Sequence, residues 1–423
     1  MSVTAITHAR VFDGERVHHD TTVVIDGPLI ASLGGAVPAR ADVIDASGMT
    51  LLPGLIDAHV HTSLGGLALA LQFGVTTELE MQGTMTADNR GEVTDNDAVA
   101  DVRSAGFGLT PPGGHPSELF PSGGPPAADA AEDFPPVDDD HGYGEPVMPF
   151  ATMPQEAVAF IARLAAAGSD YIKFMIEDGR VVGAPGLPEL DAATVPAGVA
   201  EAHRLGLLTV AHTLTVDASR TAIDAGIDGL VHLFMDQPHT PDLIDLIAAS
   251  GAFVTPCLVL KASLMGITGQ AFAADPRVHA NLSPAWLDTI NSSYNKYPQG
   301  DLDDVLASVK ALHDAGVDIL AGTDVAPVPL PFLGGMAHGA SVHHELQLLV
   351  RAGLTPVDAL RAATALPARR FALTDRGRIE PGLRADLLLV TGDPTTNITD
   401  TLNIGQVWRR GTHQDTRSTG DAQ

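Results

Sequence analysis

At 423 residues, with 45% hydrophobic but only 4% aromatic side chains, the chain can hold two ordinary domains or one large barrel with an appendage. The formal net charge of −28 argues against nucleic acid and anionic membrane surfaces, both of which would repel it. A single cysteine, Cys257, excludes an intrachain disulfide and suits a reducing compartment. The first ten residues lack the basic and apolar segments of a signal peptide, and the longest apolar run, near Leu64 to Val75, is too short to span a bilayer. These features predict a cytoplasmic protein that acts on a small molecule.

Residues 1–53 read as short strands separated by turns at Asp13-Gly14, Asp26-Gly27 and Ser47-Gly48. From 54 to 372 short apolar strands alternate with helical stretches, the pattern of βα units around a parallel barrel. The predicted strands are 54–61, 74–81, 106–110, 170–177, 208–213, 229–233, 252–258 and 318–324, the eight that a TIM (β/α)8 barrel needs. Helices are predicted over Gln155 to Ala167, closed by Gly168, and over Val195 to Leu205, closed by Gly206. Residues 111–150 break this rhythm, being rich in Pro, Gly and Asp with no helical period, and read as a substrate-facing loop. A further helix is predicted from Ala337 to Arg351, with His338 and His344 structural. Residues 373–413 return to short strands, and 414–423 read as a disordered tail.

Six residues stand at or near the ends of the apolar strands. His59 and His61 lie two apart, so they project from one face of the first strand. Lys173 follows in Tyr-Ile-Lys-Phe-Met-Ile, His212 in Thr-Val-Ala-His, His232 in Leu-Val-His-Leu and Asp324 in Ala-Gly-Thr-Asp. Imidazole and carboxylate are the ligands that Zn²⁺ and similar ions prefer. Taken singly each has a plainer role: a core histidine, a lysine snorkelling from a strand end, or an aspartate capping a helix. Lys173 is notable because the chain holds four lysines against twenty arginines, and a guanidinium cannot be carbamylated.

The ordered set His59-x-His61, Lys173, His212, His232, Asp324 resembles the amidohydrolase superfamily, in its two-metal members with a carbamylated lysine. Leu52-Pro-Gly-Leu-Ile-Asp-Ala-His-Val-His, Gly74-Val-Thr-Thr, Ala352-Gly-Leu-Thr-Pro, Gly377-Arg-Ile and Ala385-Asp-Leu-Leu-Leu-Val look like its scaffold signatures. The resemblance implies a barrel at 54–372 with a small β-sandwich domain assembled from 1–53 and 373–413. It implies that His59, His61 and Asp324 hold one divalent ion, most simply Zn²⁺, and that His212 and His232 hold a second. A CO₂-derived carbamate on Lys173 would bridge the two. Asp324 would move a proton from the attacking hydroxide to the leaving amine. Self-assembly into a homo-oligomer is a further expectation of the resemblance.

Within the superfamily, Gly168-Ser-Asp-Tyr-Ile-Lys and the run ending at His115 look like the imidazolonepropionase-related and prolidase-like branch. That branch implies hydrolysis of an amide-type C–N bond in an N-acyl amino acid, an X-Pro dipeptide, or a carbamate, urea or arylamide xenobiotic. His115, Tyr143 and Arg180 are the candidate substrate contacts, with His141 close by in the same loop. Leu233-Phe234 after the strand-six histidine departs from the branch and hints at a roomier apolar pocket. Two other classes stay open. A mononuclear deaminase would need a glutamate where this chain has Thr215, and a metal-free scaffold would have lost ligands that are all present here. Lactone, ester or phosphoester hydrolysis on the same site also remains. Cys257 has no visible activating partner and reads as a core thiol.

Overall fold

The computed structural model describes residues 3–119, 150–327 and 334–414. Tyr143 and His141, most of the 111–150 loop and the tail from 415 onward lie outside the described residues. The N-terminal strands are β1 (Val3–Phe12), β2 (Val17–Asp26), β3 (Leu29–Leu33), β4 (Asp42–Asp45) and β5 (Met49–Pro53). Those of the middle are β6 (Leu55–Val60), β7 (Val75–Glu80), β8 (Asp101–Ser104), β9 (Tyr171–Ile176), β10 (Leu208–Thr213), β11 (Gly229–Val231) and β12 (Phe253–Thr255). Near the C-terminus follow β13 (Leu387–Thr391), β14 (Ile404–Arg409) and β15 (Thr412–Gln414).

Strands from the two ends of the chain share one eight-stranded sheet, ordered β15-β14-β13-β5-β1-β2-β3 with β4 also on β1. The join is antiparallel between β13 and β5, in register from Leu387 opposite Pro53 to Thr391 opposite Met49. Ile6, Val11, Ile25, Leu51, Leu387 and Trp408 bury one core there, which fastens residues over three hundred positions apart. Gly27, at a φ of 58°, makes the turn expected at Asp26-Gly27.

The middle of the chain forms parallel sheets, β6-β7-β8 and β9-β10-β11-β12. The segment 318–325 hydrogen-bonds on both sides. Leu320 N donates to Val254 O (2.8 Å) in β12, and Ala58 N and His61 N donate to Ala321 O (2.9 Å) and Val325 O (2.8 Å) from β6 and just past it. Ile56, Leu79, Tyr171, Val210, Phe253 and Leu320 pack into one cluster, drawing a layer of side chains from strands of both sheets and from this segment. Helices expected over 155–167 and 195–205 form at Pro154–Ala166 and Thr194–Arg204. Gly168 and Gly206 follow at φ of 79° and 77°. Among the described residues no helix is long and apolar enough to cross a membrane.

Three expectations need correction. The third strand of the middle lies at 101–104, not 106–110, and only Leu109 of the expected stretch bridges β9, opposite Phe174. Asp101 and Arg103 look like surface residues in sequence. The strand accepts Asp101 because Arg376 and Arg384 neutralise it inside the fold. The last strand-seven residues leave the sheet early, since Cys257 takes a left-handed φ of 51° and begins helix Leu258–Leu264. The helix expected from Ala337 starts at Ala340, because Gly339 turns the chain at a φ of 68° and frees His338 to bond Glu78 at 2.9 Å.

Candidate metal centre

His59 and His61 leave β6 and its first following residue on one side of the sheet, as their spacing predicts. The backbone behind them is clamped from across the chain. Asp57 accepts from Thr323 Oγ1 (2.7 Å), Thr323 N (3.0 Å) and His59 N (3.1 Å), which locks 323–324 against 57–59. Asp324 and His232 both hold left-handed backbone, with φ of 62° and 69°. For residues with a Cβ this is a strained conformation, tolerated where surrounding structure imposes it, and it clusters at functional sites.

Asp324 is the focus of the first cluster. Its Oδ1 lies 3.1 Å from His61 Nε2 and 2.9 Å from His59 Nε2, the latter outside hydrogen-bonding geometry, so that His59 Nε2 is buried without a hydrogen-bond partner among the described residues. His61 Nδ1 faces the Gln82 carbonyl at 3.0 Å and must donate to it. Burial acts downward on this ring, but Asp324 and the Gln82 carbonyl outweigh it and raise it above the ordinary imidazole value, so the place between His61 Nε2 and the carboxylate takes a cation, either a proton or a metal ion. His59, His61 and Asp324 bring their ligand atoms within 4.8 Å of one another.

The imidazoles form a continuous string. Ring centroids lie 5.8 Å apart for His61 and His59, 4.6 Å for His59 and His232, 4.7 Å for His232 and His212, and 4.3 Å for His212 and His115. His232 Nδ1 is a second buried nitrogen without a partner among the described residues. Lys173 is buried on β9, and its charge acts on His59, His212 and His232, which places it in the same electrostatic space.

Burial sets the charge states. It pushes His59 down to about 3, with the Lys173 charge adding to the effect, and pushes His212 and His232 well below the ordinary imidazole range. These rings are neutral near pH 7 and keep a lone pair each, the form in which imidazole binds a metal. For Asp324 burial acts upward, but His59 and His232 outweigh it and keep the carboxyl ionised. Burial lowers Lys173 to about 8, so a substantial fraction is free amine near neutrality, the form that reacts with CO₂.

Of the candidate substrate contacts, His115 belongs to this cluster through its ring against His212, and its Nδ1 pairs with Glu118 at 2.6 Å. Arg180 does not join it; half-exposed, it pairs with Asp178 and lies 3.7 Å from Asp217. Leu233 and Phe234 are buried in the main apolar core, where both serve packing. Thr215 caps helix Val216–Asp224 through Ala218 N (3.1 Å).

Residues outside the sequence-derived candidate ligands and contacts also belong here, among them Cys257, which sequence reads as a core thiol. Glu177, one residue past β9, is buried and lies 3.2 Å from His212 Nε2. Cys257 Sγ lies 3.7 Å from His59 Nδ1. Lys261 is buried in the helix that Cys257 begins. The rarity of lysine in the chain was the one available signal for Lys261.

A model of the amidohydrolase family matches residues 50–412. An imidazolonepropionase from Streptomyces griseus subsp. griseus is 26% identical over 428 residues, covering 93% of this chain and 92% of its own length. Among solved structures, a Xaa-Pro dipeptidase with bound methionine in the active site has a TM-score of 0.73 at 22% identity, covering 98% of this chain and 100% of that one. Molinate hydrolase has a TM-score of 0.73 at 21% identity, covering 100% and 96%. At such identities the structural likeness speaks to the fold, a TIM barrel type, and the family match to a hydrolase acting on C–N bonds.

Proposed function

The chain belongs to the amidohydrolase family, and on that premise we propose that it hydrolyses an amide-type C–N bond in an N-acyl amino acid or X-Pro-like dipeptide, with two divalent ions held by the imidazole string. Carbamate, urea and arylamide substrates form the second tier, as the likeness to molinate hydrolase suggests. In this reading segment 318–325 closes an eight-stranded barrel over 54–372, and the mixed sheet of both termini curls into the appended sandwich.

The observation that carries the reading is the convergence of His59 Nε2 and His61 Nε2 on one oxygen of Asp324, with no hydrogen bond to satisfy His59. A buried nitrogen facing a carboxylate needs a proton or a metal ion between them, and one metal ion satisfies both imidazoles and the shared oxygen at once. The donor set of nitrogens, a carboxylate and a carbamylated Lys173 suits Zn²⁺. We assign His59, His61 and Asp324 to one ion, His212 and His232 to the other, and the Lys173 carbamate to both. Bound there, such ions lower the pKa of a water and polarise the scissile carbonyl.

The chain's own groups do the rest. Asp324, ionised and anchored by its neighbours, takes the proton of the attacking water at its carboxylate and returns it to the leaving nitrogen. His115, its ring tilted against that of His212 at 4.3 Å and its Nδ1 paired with Glu118, would donate from Nε2 to a substrate carbonyl or carboxylate. Metal content on protein purified without chelator tests the proposal. Two equivalents per chain and release of free amine from N-acyl amino acids support it. One equivalent with ammonia release points to a deaminase, and protein that cannot be loaded with metal points to a scaffold.

A further inference from the structure

Lys261 is a buried cation that the reaction above leaves unused. It sits in helix Leu258–Leu264, which starts at Cys257, whose sulfur is 3.7 Å from His59; the helix thus hangs from the end of β12 on the side where the imidazoles converge. The side chain is fully buried at 0% exposure, and Nζ has no hydrogen-bond partner among the described residues. Its charge acts on His212, Glu177 and Asp324, so the ammonium shares the space of the metal centre.

None of Glu177, Asp236, Asp324 and Glu345, the carboxylates that act on Lys261 electrostatically, hydrogen-bonds to its Nζ. Glu177 accepts from Gly179 N (2.7 Å) and faces His212 at 3.2 Å. Glu345 takes Leu258 N and Val259 N, each at 2.9 Å. Asp324 Oδ1 faces His59 Nε2 at 2.9 Å and His61 Nε2 at 3.1 Å. An ammonium with three donors and none used is costly to bury, and either loss of its proton or an incoming acceptor relieves that cost. Burial pulls this lysine to about 7, and an arriving anion would raise it and complete the pair.

We propose that Lys261 anchors the free carboxylate of the substrate, so that the site prefers acyl amino acids and dipeptides over neutral carbamates, ureas and anilides. Lys261 would thereby be a specificity-determining residue, its point charge fixing the acid end while the scissile amide lies against Asp324. The inference rests on the amide-hydrolase reading of the same site, but its test reads binding without turnover, so either can fail alone.

The experiment is calorimetric titration of the metal-loaded protein with 3-benzoylpropionate, the ketone isostere of N-benzoylglycine that has no scissile amide, and with its primary amide. The parent should bind the acid roughly 10- to 100-fold more tightly than the amide, the range of a hydrogen-bonded charge pair. Lys261→Met should erase that preference and Lys261→Arg should keep part of it. On whichever acid is turned over, Lys261→Met should raise KM more than it lowers kcat. A preference that survives in Lys261→Met would mean that the ions alone hold the carboxylate, and would overturn the assignment. So would a parent that binds acid and amide alike, an outcome that needs no variant to fold.

Discussion

Glu177 Oε2 lies 3.2 Å from His212 Nε2, with both side chains buried. The contact decides which nitrogen of His212 is free. A proton on Nε2 donates to the carboxylate, and Nδ1 is left with its lone pair for a metal. Glu177 is thus a positioning residue for a metal ligand, although burial raises it to about 7 and weakens its charge near neutrality. Replacing Glu177 with Gln keeps the shape but allows the amide to present a donor instead. Metal affinity, read as metal retained after dialysis, should fall by about 10- to 100-fold, as for other outer-shell partners of ligating histidines. Unchanged retention would show that His212 orients itself.

On the proposed ligand set, Lys173→Ala should cost more than that, because it would remove a ligand rather than its support. The side chain is buried, so its loss also leaves a hole where a small carboxylate fits. Activity should collapse together with the second equivalent of metal, and millimolar acetate or propionate should restore part of each. A variant with full activity would remove Lys173 from the bridging role.

The candidate ligands stood out in the sequence because five of the six stand at or just past the ends of apolar segments and Lys173 lies within another, and residues on one side of a parallel sheet are brought near one another. What sequence hid was charge placed inside. Glu177 and Lys261 look like ordinary surface residues until burial is known, and β8 was misplaced because Asp101 and Arg103 resemble a turn. The Asp57–Thr323 clamp was invisible for another reason. Its partners stand 266 positions apart, and neither periodicity nor spacing links them.

That clamp should be measurable. Thr323→Val keeps the volume but deletes the 2.7 Å bond to Asp57 Oδ2 and the acceptor for Val325 N (3.2 Å). Buried groups left unpaired cost about 1–3 kcal/mol, so the urea midpoint should drop with the m-value unchanged. Activity should fall as well, since Asp324 is the next residue. A midpoint within error of the parent would show that the Asp57 bond to Thr323 N suffices.

Asp101 joins β8 to the C-terminal part of the chain through Arg376 and Arg384, the latter at 3.0 Å, with Arg103 at 3.2 Å from its other oxygen. Burial alone would raise this carboxyl, but Arg376, Arg103, Arg384 and Arg409 together hold it far below the ordinary carboxylate range. A carboxyl depressed in the fold contributes stability that is present above its unfolded value, near 3.8, and is lost as pH falls below it. Asp101→Asn strands several guanidinium groups in a buried place, which should destabilise the protein at pH 7 by about 3–5 kcal/mol. The gap between parent and variant should stay constant from pH 7 to about 5 and narrow below about 4, because only the parent loses this contribution. Denaturant titrations of both proteins at several pH values read the gap directly. A gap that widens on acidification would mean that the arginines, rather than the carboxylate, set the stability of this junction.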